Sequence, residues 1–95
     1  MRIEPVEIYS NRTDAAIMRH PGRKFPGVLV QGDNLNLLCM IADSLCAKLQ
    51  ATMEPASYRE LDQLRKALKG YHDHYRDTLQ EHRIPLPYPD PDRVA

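Results

Sequence analysis

The second half of the chain interleaves histidines with carboxylates, and such residues could hold a metal or move protons. The group comprises His72, His74 and His82 with Asp73, Asp77 and Glu81. No Glu-x-x-His or H-E-x-x-H spacing occurs, so another element would have to supply further ligands. We therefore expect boundary histidines beside a solvated acidic face, and predict neither a metal site nor a cofactor.

A second group could bind anions. Arg19, His20, Arg23 and Lys24 place four residues that can carry positive charge within six positions, and with Gly22 and Gly27 they could form an anion-binding loop. Backbone N–H groups and guanidinium forks suit phosphate or carboxylate. The stretch matches neither G-x-x-x-x-G-K-[ST] nor G-x-G-x-x-G. A solvated hairpin loop is the simpler interpretation; if the loop binds a partner, an acidic protein surface is favoured over a nucleotide.

The cysteine and serine side chains, the candidate nucleophiles, have no neighbouring base or catalytic motif in the sequence. Cys39 and Cys46 lie seven residues apart in a predicted helix, so about 10 Å separates them, too far for a disulfide. Nothing in the sequence brings His20 close as a base. The serines lack a G-x-S-x-G context; they are Ser10, Ser44 and Ser57. We predict buried, reduced thiols, which fit a cytoplasmic protein, and no enzymatic activity.

The composition narrows the class of protein. Ninety-five residues predict a single domain over 1–95, with a strand and loop part at 1–32, two helices at 33–83 and a tail at 84–95. Thirteen basic residues balance thirteen acidic ones, so nucleic-acid binding is not expected. No apolar run is long enough for a membrane span, and no signal peptide is visible. Near-zero charge favours a homo-oligomer such as a homodimer.

The first third predicts a small sheet. Alternation over 6–9 and the apolar run 15–18 flank a turn cluster and predict a hairpin. Pro and Gly punctuate 20–27 as a loop. The run 27–31 is short, β-branched and bounded by Gly, so it predicts a third strand.

A helix is expected over 34–50, with Asp33 as its N-cap. Steps of three and four define its core face: Leu35, Leu38, Ile41, Ala42, Leu45 and Leu49. Cys39 and Cys46 fall about 90° from that face. Because Leu37 and Met40 point elsewhere, the helix should be buried on more than one side, by the sheet and the next helix or by a partner.

Ser57 and Glu60 match a capping box and predict a second helix running to about Arg83. Its stripe comprises Leu61, Leu64, Leu68, Tyr71, Tyr75 and Leu79 and keeps its phase across Gly70, which favours one long helix. Prolines at alternate positions make 84–95 an extended tail.

Tyrosine concentrates in the C-terminal half and is favoured at interfaces. Tyr71, Tyr75 and Tyr88 are therefore candidate contact residues, beside a tail that could reach a partner. In the alternative, the tail packs along the chain's own helices.

The stretch His20-Pro21-Gly22-Arg23-Lys24-Phe25-Pro26-Gly27-Val28-Leu29-Val30-Gln31-Gly32-Asp33 resembles a family of small bacterial proteins known only as a domain of unknown function. The resemblance runs from Val6 to Asp33, about a third of the chain, and its shared pattern is H-P-G-R-x-F-P-G-V-x-x-Q-G-D. The resemblance implies a free-standing bacterial protein of one domain. It implies no activity, cofactor or catalytic residue.

The predicted fold is α+β: a small N-terminal antiparallel sheet of two or three strands packed on two antiparallel helices, with a Pro-rich extended C-terminal tail. The alternative is a helical hairpin with an irregular N-terminal arm. The predicted function is an intracellular, non-enzymatic protein-binding module, of the kind in which an immunity protein inhibits a toxin or enzyme. Alternatives are an anion- or small-molecule-binding protein that uses the loop from Arg19 to Lys24, and a metal- or thiol-dependent enzyme.

Overall fold

A computed structural model describes residues 1–13 and 15–89. Asp14 in the predicted hairpin turn and positions 90–95 of the predicted tail lie outside the described residues. The chain forms two compact units, Met1–Gln31 and a second that begins at Gly32. The first holds an antiparallel sheet and the second holds two helices. The α+β prediction is confirmed, and the alternative with an irregular N-terminal arm is wrong.

The sheet has three strands in the order β1-β2-β3, where β1 is Glu7–Ser10, β2 is Ala15–Arg19 and β3 is Gly27–Val30. The register of β2 and β3 is regular, from Ala15 opposite Val30 to Met18 opposite Gly27. The register of β1 and β2 shifts between Ile8 and Ser10, so β1 carries a bulge. Every strand residue remains at least partly exposed.

Helix α1 spans Gly32–Leu49. It begins one residue before the predicted N-cap, so Asp33 lies in the first turn, where its Oδ1 accepts the Asn34 N–H at 2.9 Å. The predicted core face is wrong by a rotation of the helix. Cys39, Ala42 and Cys46 are buried, whereas Leu38, Ile41 and Leu45 remain exposed.

Small residues explain the rotation. A Cβ added at Gly32 would lie 2.1 Å from Cζ of Tyr75 on the second helix, so that ring occupies the space above the glycine. Cys39, Ala42 and Cys46 likewise present little volume, and small side chains let two helices approach closely. The prediction placed large apolar residues of α1 in this interface. The interface buries small ones instead, namely Ala42 of the predicted face and the two cysteines, whose burial was predicted.

Helix α2 spans Pro55–Glu81 without a break at Gly70, as predicted. The capping box is wrong: Glu54 is the N-cap and makes no side-chain cap bond. Pro55 occupies the first turn instead, where its fixed φ suits the helix and its missing N–H costs nothing. The predicted stripe holds in part. Four of its members are half-buried: Leu61, Leu68, Tyr75 and Leu79. Leu64 and Tyr71 are exposed instead.

The end of α2 lies two residues before the predicted one. Ile84 N–H donates to the Leu79 carbonyl at 2.8 Å, and Arg83 N–H donates to the Gln80 carbonyl at 3.1 Å. These bonds close a Schellman motif. Arg83 has φ 57°, so a non-glycine residue holds the left-handed position.

Candidate functional site

A groove of about 270 Å³ lies beside β3 in the first unit, and we call it the β3 groove. Its lining residues are Val6, Met18, His20, Arg23, Phe25, Gly27, Val28 and Leu29. A Cβ built at Gly27 would meet nothing within 4 Å. The missing side chain opposite Met18 therefore leaves an open space on the sheet, large enough for a side chain from another molecule.

The two edges of the sheet differ. β3 pairs only with β2 in the described chain, and its four residues, all exposed, carry no charge and no proline. β1 bears the bulge and the charged Glu7. Bulges and charges on an edge discourage further strand pairing, whereas an uncharged regular edge leaves backbone N–H and C=O groups able to accept another strand.

Arg19, the first predicted anion-binding residue, is already engaged. Its guanidinium forms an ion pair across the strands with Glu7 and donates to the Arg23 carbonyl at 3.3 Å. The Arg19 hydrogen bond, followed by one from Tyr9, lowers the pKa of Glu7 to about 2. Because an added anion would compete with this carboxylate, Arg19 is better placed to join β1 to β2 than to bind a ligand.

The rest of the basic loop is divided between two places. His20 Nδ1 accepts the Gly22 N–H at 3.0 Å, and its carbonyl accepts the Arg23 N–H at 2.9 Å. The side chains of His20 and Arg23 border the β3 groove. Lys24 Nζ lies 5.4 Å from the centroid of Phe25. These loop N–H groups serve the loop's own turn, and anion binding by the loop stays a prediction.

The three candidate tyrosines lie in different settings within the second unit. Tyr71 is exposed on α2, and Tyr75 packs over Gly32. Tyr88 stacks on His72, with ring centroids 5.6 Å apart. Of the three, only Tyr71 is largely exposed to solvent.

A cleft of about 360 Å³ lies along one side of the contact between α1 and α2, and we call it the helix cleft. Its lining residues are Asn36, Cys39, Met40, Asp43, Lys69, His72, Asp73, Arg76, Tyr88 and Pro89. The polar wall of this cleft on α1 was not predicted from the sequence. The available signal was Asn36 and Asp43, polar residues one heptad apart within the apolar middle of the helix.

Charges in and beside the helix cleft pair with one another. Lys69 Nζ lies 2.9 Å from Asp73 and lowers its pKa. Arg65 contacts Asp43 at 3.6 Å and Asp62 at 2.7 Å, which joins the two helices. Burial, and secondarily the charge of Asp43, raises the pKa of the Cys39 thiol, which disfavours the nucleophilic thiolate.

Within residues 1–13 and 15–89, no three His, Cys, Asp or Glu side chains group closely enough to hold a metal ion. Over the same residues, neither helix has the length and apolar character needed to cross a membrane. One of the histidines of α2, His72, contacts Tyr88 of the tail.

Comparison with known proteins gives one match. Residues 1–88 match the model of a family of unknown function, which confirms the expected resemblance to an uncharacterised family and covers the sheet and both helices. No curated protein and no solved structure matches the chain.

Proposed function

The chain belongs to this family, DUF6959, and from its sheet geometry we propose that it is a non-catalytic protein-binding module. The observation that carries the proposal is that the open edge at β3 is uncharged and lies beside an unfilled groove. The partner adds an extended segment to β3, in the mode of β-strand addition.

Main-chain hydrogen bonds to the outer edge of β3 supply the affinity in this mode, and pockets for alternate side chains supply the specificity. An apolar side chain of the added strand enters the space above Gly27, next to Leu29. Phe25 is 72% exposed at the same end and adds apolar area. Burial of such surface contributes about 25 cal/mol per Å².

The rim of the groove determines the charge of the partner. Arg23 and Lys24 are exposed, and with His20 they make this end of the sheet basic. Like charges facing across an interface cost free energy, and opposite charges raise the association rate. The partner segment therefore alternates apolar and polar residues, and it carries Asp or Glu where it faces Arg23 and Lys24.

The finer form of the proposal is an immunity-type inhibitor in the cytoplasm that covers the site of a toxin or enzyme. Its support is the open edge at β3 and two free thiols suited to a reducing compartment. Pairing with the chain would silence the partner by occupying an extended segment that the partner needs.

A peptide selection tests the binding mode. The full chain is immobilised and offered phage-displayed random peptides long enough to span β3 and the groove. Enriched peptides should alternate apolar residues and carry carboxylates. Affinities are then measured for wild type, Gly27→Val, Leu29→Glu and the double variant Arg23→Glu/Lys24→Glu. Leu64→Glu is the matched control, because Leu64 is 57% exposed on α2.

Gly27→Val fills the groove without an internal clash, so the fold is kept while peptide affinity should fall about tenfold or more. Charge reversal should weaken binding and its dependence on salt. Failure to enrich any peptide, or equal affinities for Gly27→Val and Leu64→Glu, would refute binding at β3. Capture from a native lysate with the same variants then tests the inhibitor: a captured enzyme or toxin should lose activity on stoichiometric addition of wild type.

A further inference from the structure

Helix α1 carries a second apolar feature, which we call the α1 strip: Leu38, Ile41 and Leu45. Their side chains are 44%, 49% and 42% exposed. Steps of three and four residues align them, roughly 100–160° around the helix from Cys39, which lies in the contact with α2. Asn34 and Lys48 continue the same spacing at either end. The α1 strip thus has the spacing of a coiled-coil seam, and nearly half of each residue remains exposed.

We propose that the α1 strip binds the α1 strip of a second copy of this chain in antiparallel orientation. A two-fold axis near Ile41 places Leu38 of each copy opposite Leu45 of the other. The strip is apolar on both sides of this axis, so the same surface serves both copies, as an isologous interface requires.

The charges beside the α1 strip agree with this orientation. Asp33 lies at the N-terminal end of α1 and Lys48 at its C-terminal end. Antiparallel pairing brings Asp33 of one copy towards Lys48 of the other, twice per dimer, on the same side of the pair. It also places the positive end of each helix dipole beside the negative end of its neighbour. A parallel pair would instead align Asp33 with Asp33.

A second copy is favoured over an unrelated protein for two reasons. The strip complements itself in length, shape and charge, which a surface evolved for another protein has no need to do. The formal net charge is zero, so no overall repulsion opposes self-association. The resulting dimer sets two helical hairpins side by side with four helices in one bundle, a common architecture for packed antiparallel helices.

Sedimentation and native mass spectrometry over a concentration series test the dimer. Wild type should shift from monomer to dimer. Ile41→Glu sets two carboxylates face to face at the two-fold axis and should raise the dimer dissociation constant about tenfold or more. Leu64→Glu is the control and should leave it unchanged. Leu29→Glu, on the sheet, should also leave it unchanged, which separates this proposal from strand addition at β3.

Charge exchange and cross-linking test the orientation. Asp33→Lys and Lys48→Asp should each weaken the dimer, and the double variant should restore it. A mixture of Leu38→Cys and Leu45→Cys copies should form mixed disulfides, whereas each variant alone should not. A wild type that stays monomeric at its highest soluble concentration would overturn the proposal. So would Ile41→Glu lowering the melting temperature without changing assembly, since the strip would then be covered within one copy.

Discussion

The phenol oxygen of Tyr88 lies 2.5 Å from Nε2 of His72, and the two rings stack at an interplanar angle of 30°. This contact joins the Pro-rich tail to the middle of α2, and Pro89 beside it forms part of the wall of the helix cleft. Up to residue 89 the tail therefore packs along the chain's own helices, the alternative left open by the sequence.

Tyr88→Phe should lower the free energy of unfolding by about 1 kcal/mol, because it keeps the ring but removes the hydroxyl that meets His72. Urea unfolding of the full chain measures the change. Tyr71→Phe is the control, because Tyr71 is exposed on α2, the helix that carries His72. Its free energy of unfolding should stay within about 0.5 kcal/mol of wild type. Equal effects for the two variants would show that the hydroxyl contact does not hold the tail.

Gly32→Ala should destabilise the helix pair by about 1–3 kcal/mol, because the new Cβ must displace the ring of Tyr75. Gly70→Ala is the matched control. A Cβ at Gly70 meets nothing within 4 Å, and alanine should stabilise α2 by about 1 kcal/mol. Thermal unfolding of both variants gives the comparison, and the same sign for both would contradict the close approach of Tyr75 to Gly32.

Arg83→Gly should raise the free energy of unfolding by about 1 kcal/mol, because glycine holds φ 57° without the steric cost that a Cβ imposes there. Chemical denaturation is again the measurement. His82→Gly, at φ −92°, serves as control and should not stabilise the chain. A destabilised Arg83→Gly variant would mean that the arginine side chain contributes more than its backbone costs.

Glu7 should make the sheet sensitive to acid. The pKa of Glu7 in the folded chain is about 2, below its ordinary value of 4.5. The ion pair with Arg19 therefore stabilises the fold fully at pH values above 4.5. The contribution falls as the pH drops and is lost on passing through about 2. The melting temperatures of wild type and Glu7→Gln should differ at neutral pH and converge in acid.

Glu60→Gln on α2 provides the control for loss of an exposed carboxylate and should follow wild type. Carbon-detected NMR of the Glu7 carboxyl gives the direct test, with a titration midpoint near 2. A midpoint at 4.5 would contradict the ion pair with Arg19.

Local signals predicted the elements well. Gly27 and the β-branched residues after it marked β3, and the phase of the stripe across Gly70 marked one continuous α2. Side-chain periodicity and turn residues act over a few positions, so a sequence reports them directly.

The rotation of α1 could not be predicted in the same way. Leu38 and Cys39 are equally compatible with a helical period, and only the distance to α2 decides which one is buried. That distance depends on Gly32 meeting Tyr75, a contact between residues 43 positions apart. The β3 groove was missed for the same reason, since the empty space above Gly27 arises from pairing with Met18 on another strand.

The bulge in β1 limits how far the sheet can grow. A sheet with two regular edges can add strands on both sides, and repeated addition produces fibrils. Here the bulged, charged β1 discourages strand pairing on one side. In the described sheet, β3 is then the one edge that accepts another strand. Copies of this chain can therefore pair through one sheet edge each, so such sheet-to-sheet contacts should stop at pairs rather than polymerise.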